Sequence, residues 1–216
     1  MCNRYTPPRA DRIYETWRVN PKGTYKDLIV PRAPGPFVTP GACEVGQWGL
    51  IPPYSAVRNA ISREGRPLST NNCRMETMHS SPVFRHAWQR SQRCLIPAES
   101  WDEPYWGTGK NIWWRFARGD GLPWALAGLW EIWTDRQTGE VLHSYTMITQ
   151  PAAEHPVLSK MHRPGKEKRA VVPLEPDDWD VWLNGEPEQA RALIRLPSVE
   201  MLAHAAVDPV QQVDLA

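Results

Sequence analysis

The chain has 216 residues, 25 Lys and Arg against 24 Asp and Glu, and a formal net charge of +1. That length holds one large domain or two small ones, and a hydrophobic content of 41% supplies a real core. Net charge alone marks no nucleic-acid binder, no apolar run is long enough to span a bilayer, and no basic-then-apolar leader opens the chain.

The opening Met1-Cys2-Asn3-Arg4-Tyr5 carries chemistry by position. Met before a small residue is clipped after synthesis, which leaves Cys2 first. A terminal cysteine combines an α-amine, with a pKa of roughly 7.7–8.0, and a thiol whose reactivity rises when a basic or polar surround lowers its pKa. Together they suit an aldehyde: the amine condenses to a Schiff base and the thiol closes a five-membered thiazolidine. The competing reading is an ordinary start codon followed by an unremarkable Cys. Cysteines 2, 43, 73 and 94 form no C-x-x-C pair, so no zinc site or other metal is expected. Free thiols in a reducing, cytoplasmic setting follow, nucleoid-associated in a bacterium.

Ile13 and Trp17, four apart, predict a surface helix over 8–19. Residues 43–51 predict a strand that stops at Pro52-Pro53. Residues 71–77 read as a capped turn, or as an extended segment that points Asn72 and Arg74 to one side. A short helix over 85–92 and a strand over 94–96 follow. Trp101-Asp102-Glu103-Pro104 sets two acids among aromatic rings, where burial raises a carboxyl pKa toward neutrality; the alternative is a surface loop. Strands are expected over 111–117, 124–133 and 143–149, with a turn at 135–139. Ser159-Lys160-Met161-His162-Arg163-Pro164 places one histidine among cations, either as a proton shuttle or as a structural group. One strand over 169–174 and two closing helices, 176–184 and 187–195, complete the chain.

The expected fold is α+β: one domain over 1–216, a curved antiparallel sheet or partial barrel with peripheral helices. The 22 prolines favour short strands and shaped loops, and the 12 tryptophans suit a core first and base stacking second. Charge is unevenly placed. Residues 1–33 hold seven Lys and Arg against three acids, and Lys160, Arg163, Lys166, Lys168 and Arg169 face only Glu167. From Glu175 onward there are nine acids and two arginines. A basic groove and an acidic back are the expectation, against a simple set of solvated faces.

Five motifs come in an order that resembles the SRAP (SOS-response-associated peptidase) family. They are Met1-Cys2-Asn3-Arg4-Tyr5, Trp48-Gly49-Leu50-Ile51-Pro52, Asn72-x-Arg74-x-Glu76-Thr77, Cys94-Leu95-Ile96-Pro97-Ala98 and Tyr145-Thr146-Met147-Ile148-Thr149. The resemblance covers about 2–183 and leaves closing helices and a tail over 184–216. It implies covalent shielding of abasic sites in single-stranded DNA. Apart from the resemblance, a monomer is expected, with no cofactor and no membrane contact. Cys2 falls on the family nucleophile, Asn72 on its asparagine, Glu103 on its glutamate and His162 on its histidine. Arg4 and Arg74 fall on phosphate-holding arginines, and Thr149 and Arg163 lie by the same site. Trp106 or Trp101 would stack on a base. Asn3 replaces the commonest glycine, Pro104 replaces the tryptophan after the glutamate, and the usual His-Asp-Arg-Met-Pro order is altered. Asp102 therefore rivals Glu103, and His155 rivals His162. Two other functions stay open: an N-terminal-cysteine thiol hydrolase or self-processing peptidase, with Asn72 as oxyanion donor, and a non-covalent single-strand binder with an inert Cys2.

Overall fold

A computed structural model describes residues 2–62 and 64–207. In chain order its elements are β1 (Arg4–Thr6), α1 (Ala10–Trp17), β2 (Pro34–Thr39), β3 (Ala42–Trp48), β4 (Asn72–Arg74), α2 (Arg85–Gln89), β5 (Arg93–Ala98), β6 (Ser100–Tyr105), β7 (Ile112–Arg118), β8 (Trp124–Thr134), β9 (Val141–Pro151), β10 (Arg169–Val171), β11 (Pro173–Leu174), α3 (Trp179–Asn184), α4 (Pro187–Ala192) and β12 (Leu202–Ala206).

Five strands close a circuit: β9 pairs β3, β3 pairs β2, β2 pairs β5, β5 pairs β8, and β8 returns to β9. The expected curved antiparallel sheet or partial barrel is thus a five-stranded barrel, with one parallel seam where Gln47 and Trp48 of β3 meet Ser144 and Tyr145 of β9. Beyond that seam β9 changes partners. Asn72–Arg74 pair in parallel with Met147–Thr149, and Arg169–Val171 pair with Thr149–Pro151. The 169–174 run is two strands rather than one. Val171 faces Thr149 of β9, whereas Pro173 faces Leu126 of β8. Proline has no N–H to continue the first ladder, and the Val172 carbonyl already accepts the Ala127 N–H at 2.8 Å.

A second, four-stranded sheet runs β1-β6-β7-β12. The Glu99 N–H donates to Thr6 O at 2.8 Å where β5 gives way to β6. Pairing then sets Arg4 opposite Asp102 and Tyr5 opposite Trp101. The helices are shorter than the sequence predicts. α1 stops at Arg18, which adopts a left-handed φ of 59° and donates its N–H to Tyr14 O. Residues 176–178 form a 3₁₀ turn ahead of α3, and α4 begins at Pro187 with a capping box between Glu186 and Gln189.

Trp48, Trp101, Trp124 and Trp182 are fully buried, so core packing takes much of the tryptophan excess. Tyr5 ties the N-terminal strand into this core. Its ring meets Trp48 edge-on at 5.2 Å, and its hydroxyl shares a 2.6 Å hydrogen bond with that of Tyr145. Both tyrosines are fully buried. Tyr5→Phe strands the Tyr145 hydroxyl, and equilibrium urea unfolding should show a loss of about 1–3 kcal/mol.

Candidate functional site

The N-terminal segment lies inside the protein. Cys2 is fully buried in the core cluster around Tyr5, Trp48 and Trp101. Its carbonyl accepts the Asn72 side-chain amide at 2.7 Å and the Asn71 amide at 3.3 Å. β4 explains the first bond: the strand's alternation sends Cys73 into the core and leaves Asn72 toward Cys2 and Arg74 toward solvent. Asn71 precedes the strand and escapes that alternation, so both amides reach one carbonyl. Ser69 fixes the Asn71 side chain by donating to Oδ1 at 2.7 Å, and Asn71 also donates to Asn3 Oδ1 at 3.3 Å.

Glu103 and His162 form the titratable pair. Glu103 is buried on β6, and His162 Nδ1 lies 3.6 Å from its Oε2. His162 Nε2 donates to the Arg169 carbonyl at 2.8 Å, which leaves Nδ1 as the acceptor facing Glu103 in the neutral ring. The His162 backbone is left-handed, φ 63°, and is held there by neighbours. Its N–H donates to Pro104 O at 2.6 Å, and Lys168 Nζ donates to the Met161 and His162 carbonyls at 2.6 and 2.8 Å.

Burial sets the protonation states. It raises Glu103 to about 7 and lowers His162 to about 4. It also pushes the Cys2 thiol well above its ordinary value, with the Glu103 charge adding to the effect. Burial thus disfavours the thiolate at Cys2, and Sγ donates to Arg4 O at 3.3 Å. A carboxyl near 7 beside a neutral imidazole can give or take a proton at neutral pH.

The rival residues are otherwise engaged. Asp102 accepts from Arg4 Nε at 2.7 Å and Arg115 Nε at 3.0 Å. His155 Nε2 donates to Pro197 O at 2.9 Å, and its Nδ1 accepts the Val157 and Leu158 N–H groups. His155 therefore shapes the 155–158 turn.

Above the pair runs a groove of about 530 Å³, lined by Asn3, Arg74, Trp106, Trp113, His162 and Arg163. Pro104, Asn111, Lys166, Glu167 and Arg169 also line it, so cations outnumber acids among its described residues. Arg163 sits over the Trp106 ring at 5.5 Å, and Arg74 pairs with Glu167 at 2.7 Å. Three expected DNA contacts lie elsewhere than the groove surface. Trp101 is fully buried and stacked on Phe116 at 5.6 Å, so it presents no face to a base. Thr149 is fully buried, and its role is to hold Arg169, whose Nε and Nη2 reach Thr149 Oγ1 and O at 3.3 and 2.8 Å. Arg4 is 3% exposed, committed to Asp102 and stacked 4.2 Å over Trp113. Sequence reasoning missed Asn71, Lys168, Trp113 and Arg169. Among them only Lys168 and Arg169 carried a signal, their place in the basic run. Among the described residues, no three His, Cys, Asp or Glu gather as a metal site, and no helix is long and apolar enough to cross a membrane.

The barrel thus holds Cys2 buried in its core, with its carbonyl clamped by two side-chain amides and the Glu103–His162 pair beneath a basic groove. The family model for SOS response associated peptidase (SRAP) matches residues 1–213, and the chain belongs to that family. A protein of solved structure from Bordetella bronchiseptica is 34% identical, with a TM-score of 0.88 over 96% of this chain and 100% of its own. Another, from Bacteroides thetaiotaomicron, shares the fold at 18% identity, with a TM-score of 0.80 over 96% of this chain and 93% of its own. The abasic site processing protein HMCES of Xenopus tropicalis is 29% identical over 120 residues, 48% of this chain and 35% of that protein. HMCES of Gallus gallus is 27% identical over 128 residues, 50% of this chain and 37% of its own. Those alignments take in little more than a third of each relative.

The buried pair has a pH signature. Glu103 ionises near 4.5 when unfolded and about 7 when folded, so its contribution to folding stability is lost as pH rises through that interval. His162 acts oppositely: its folded value of about 4 lies below 6.5, so its contribution is lost as pH falls. Glu103→Gln removes only the first effect. The stability of this variant relative to the unaltered protein should grow by about 3 kcal/mol between pH 4.5 and 7 in denaturant titrations. A difference that stays flat across that range would place Glu103 ionised in the fold.

Proposed function

We propose that the chain captures abasic sites in single-stranded DNA covalently, through Cys2 freed by loss of Met1. One observation carries this reading: Cys2 is clamped by its carbonyl beside a buried acid–base pair, at a groove lined by cations and tryptophans. Membership of the SRAP family and likeness to two abasic site processing proteins support the lesion as substrate.

The strand lies in the groove, held through phosphates by Arg74, Arg163 and Lys166, with Trp106 against a neighbouring base. Glu103 and His162 move the protons that open the abasic sugar to its aldehyde. The Cys2 amine attacks that carbon to give a carbinolamine. Glu103, protonated in part at neutral pH, supplies the proton with which the hydroxyl departs as water, leaving an imine. The neutral Cys2 thiol then adds to the same carbon. Its proton reaches the nitrogen by way of the Glu103 carboxylate, and the ring closes with net loss of one water. Asn72 keeps the amine and thiol facing one carbon throughout.

Two features weigh against the thiol hydrolase. Burial disfavours its thiolate, and the Asn72 amide is already donated to Cys2 O rather than open to an oxyanion. The test is a denaturing gel of Met1-free protein with single-stranded DNA carrying one abasic site, against base-intact DNA. A lesion-specific shifted band is expected, absent in Cys2→Ala and formed roughly 10²–10⁴-fold more slowly in Glu103→Gln. A stable adduct in Cys2→Ala would sink the scheme. Binding that disappears in denaturant, with Met1 confirmed absent, would leave the passive single-strand binder.

A further inference from the structure

The chain passes His162 twice, once at the residue itself and again six residues later at Lys168. Between them Arg163-Pro164-Gly165-Lys166 makes a tight turn, in which the Lys166 N–H donates to Arg163 O at 3.1 Å and Gly165 has φ 76°. Proline ahead of a left-handed glycine is the residue order that such a turn demands. Two anchors fix the returning segment. The Ala152 N–H, just beyond β9, donates to Lys168 O at 2.8 Å, and Glu167 pairs with both Arg169 and Arg74 at 2.7 Å.

Lys166, Glu167 and Arg169 line the groove, and Lys168 is not among the described residues that do. Its half-buried side chain instead donates to the carbonyls of Met161 and His162 at 2.6 and 2.8 Å. Those carbonyls belong to the residues that set the direction of the His162 ring. Met161 is extended, with φ −78° and ψ 167°, and His162 is left-handed, with φ 63°. An L residue keeps that conformation where its surroundings enforce it. β6 acts from one side, through Pro104 O accepting the His162 N–H. Lys168 acts on the carbonyls: an ammonium has three donors, and two of them bind consecutive carbonyls at the bend. The ring so placed reaches Arg169 O with Nε2 and faces Glu103 with Nδ1.

We infer that Lys168 is a positioning residue for the reaction at Cys2, fixing the His162 backbone so that Nδ1 faces Glu103, without itself touching the DNA or the reacting carbon. The inference rests on the abasic-site reading above. It gives one cation of the basic run a task other than phosphate binding. The Lys168 charge also bears on proton transfer. Burial is the main reason that His162 titrates at about 4, and the nearby ammonium acts in the same direction, against the imidazolium. Glu103, from β6, is the carboxyl that faces the ring.

The experiment compares the unaltered protein with Lys168→Met, which keeps the stem and removes the ammonium, and Lys168→Arg, which keeps the charge and several N–H donors. Capture of single-stranded abasic DNA is timed against DNA concentration, and the His162 ring is followed by nitrogen-15 NMR across pH. Lys168→Met should lower the maximal rate about tenfold to hundredfold and leave the half-saturating concentration unchanged, because a small misplacement of a catalytic group costs that much. Its His162 ring should titrate above the value of about 4 held by the unaltered protein. Lys168→Arg should recover most of the rate and of the titration. An unchanged maximal rate in Lys168→Met would overturn the inference. So would a raised half-saturating concentration alone, which would make Lys168 a phosphate contact. Equal losses in both variants, with the His162 titration unmoved, would reduce Lys168 to packing and overturn it too. If Lys168→Met does not fold, Lys168→Gln replaces it: a rate between those of the unaltered protein and Glu103→Gln supports the inference, and an unaltered rate overturns it. Failure of the unaltered protein to form any adduct would overturn the abasic-site reading, whereas the His162 titration would still decide whether Lys168 places the ring.

Discussion

The site depends on one hydrogen bond, from the Asn72 side-chain amide to the carbonyl of Cys2 at 2.7 Å. The first few residues of a chain ordinarily fray unless they are tied down. Here the clamp works with the pairing of β1 on β6 and the burial of Tyr5 to fix the first residues against a rigid barrel. The clamp exists because β9 outlasts its partner β3. The ladder vacated after Tyr145 is taken by the three-residue β4, which brings Asn72 to the N-terminal segment. The barrel's irregular edge is thus the feature that organises the chemistry.

The second constraint is burial, which acts on three titratable groups in the same sense by penalising charge. It leaves Glu103 near neutrality, His162 neutral and the Cys2 thiol protonated. Groups whose charged forms are penalised can share a small buried space without the repulsion that fully charged ones would meet. Charge is instead placed around this space and paired: Asp102 between Arg4 and Arg115, Arg169 between Glu76 and Glu167. An amine-first reaction suits that arrangement better than one that begins with a thiolate.

Much of this was legible in the sequence, for stated reasons. Cys2 stood out by position, β5 and β8 carried the apolar runs 94–98 and 124–130, and β9 carried the β-favouring stretch 143–149. Asp102 and Glu103 stood out together as acids among aromatic rings, and the family resemblance singled out Glu103. Other features were hidden. β6 contains Asp102, Glu103 and Pro104, residues that strands disfavour, and β2 begins Pro34-Gly35-Pro36, so neither read as a strand. Strand alternation argues against Asn71 and Asn72 serving one carbonyl, and only the bend before β4 allows it. Residue type alone could not separate Trp101 from Trp106 or Thr149 from a surface threonine. Burial separates them, and burial is a property of the whole fold.

In the proposed reaction the amine and the thiol of Cys2 end on one carbon. That outcome is tested most directly with single-stranded DNA whose abasic C1′ is labelled with carbon-13, examined by NMR after reaction with Met1-free protein. A tetrahedral carbon bonded to both nitrogen and sulfur is expected, in an adduct whose mass is protein plus DNA less one water. A trigonal imine carbon as the end state, or a label that remains in the free sugar, would contradict it.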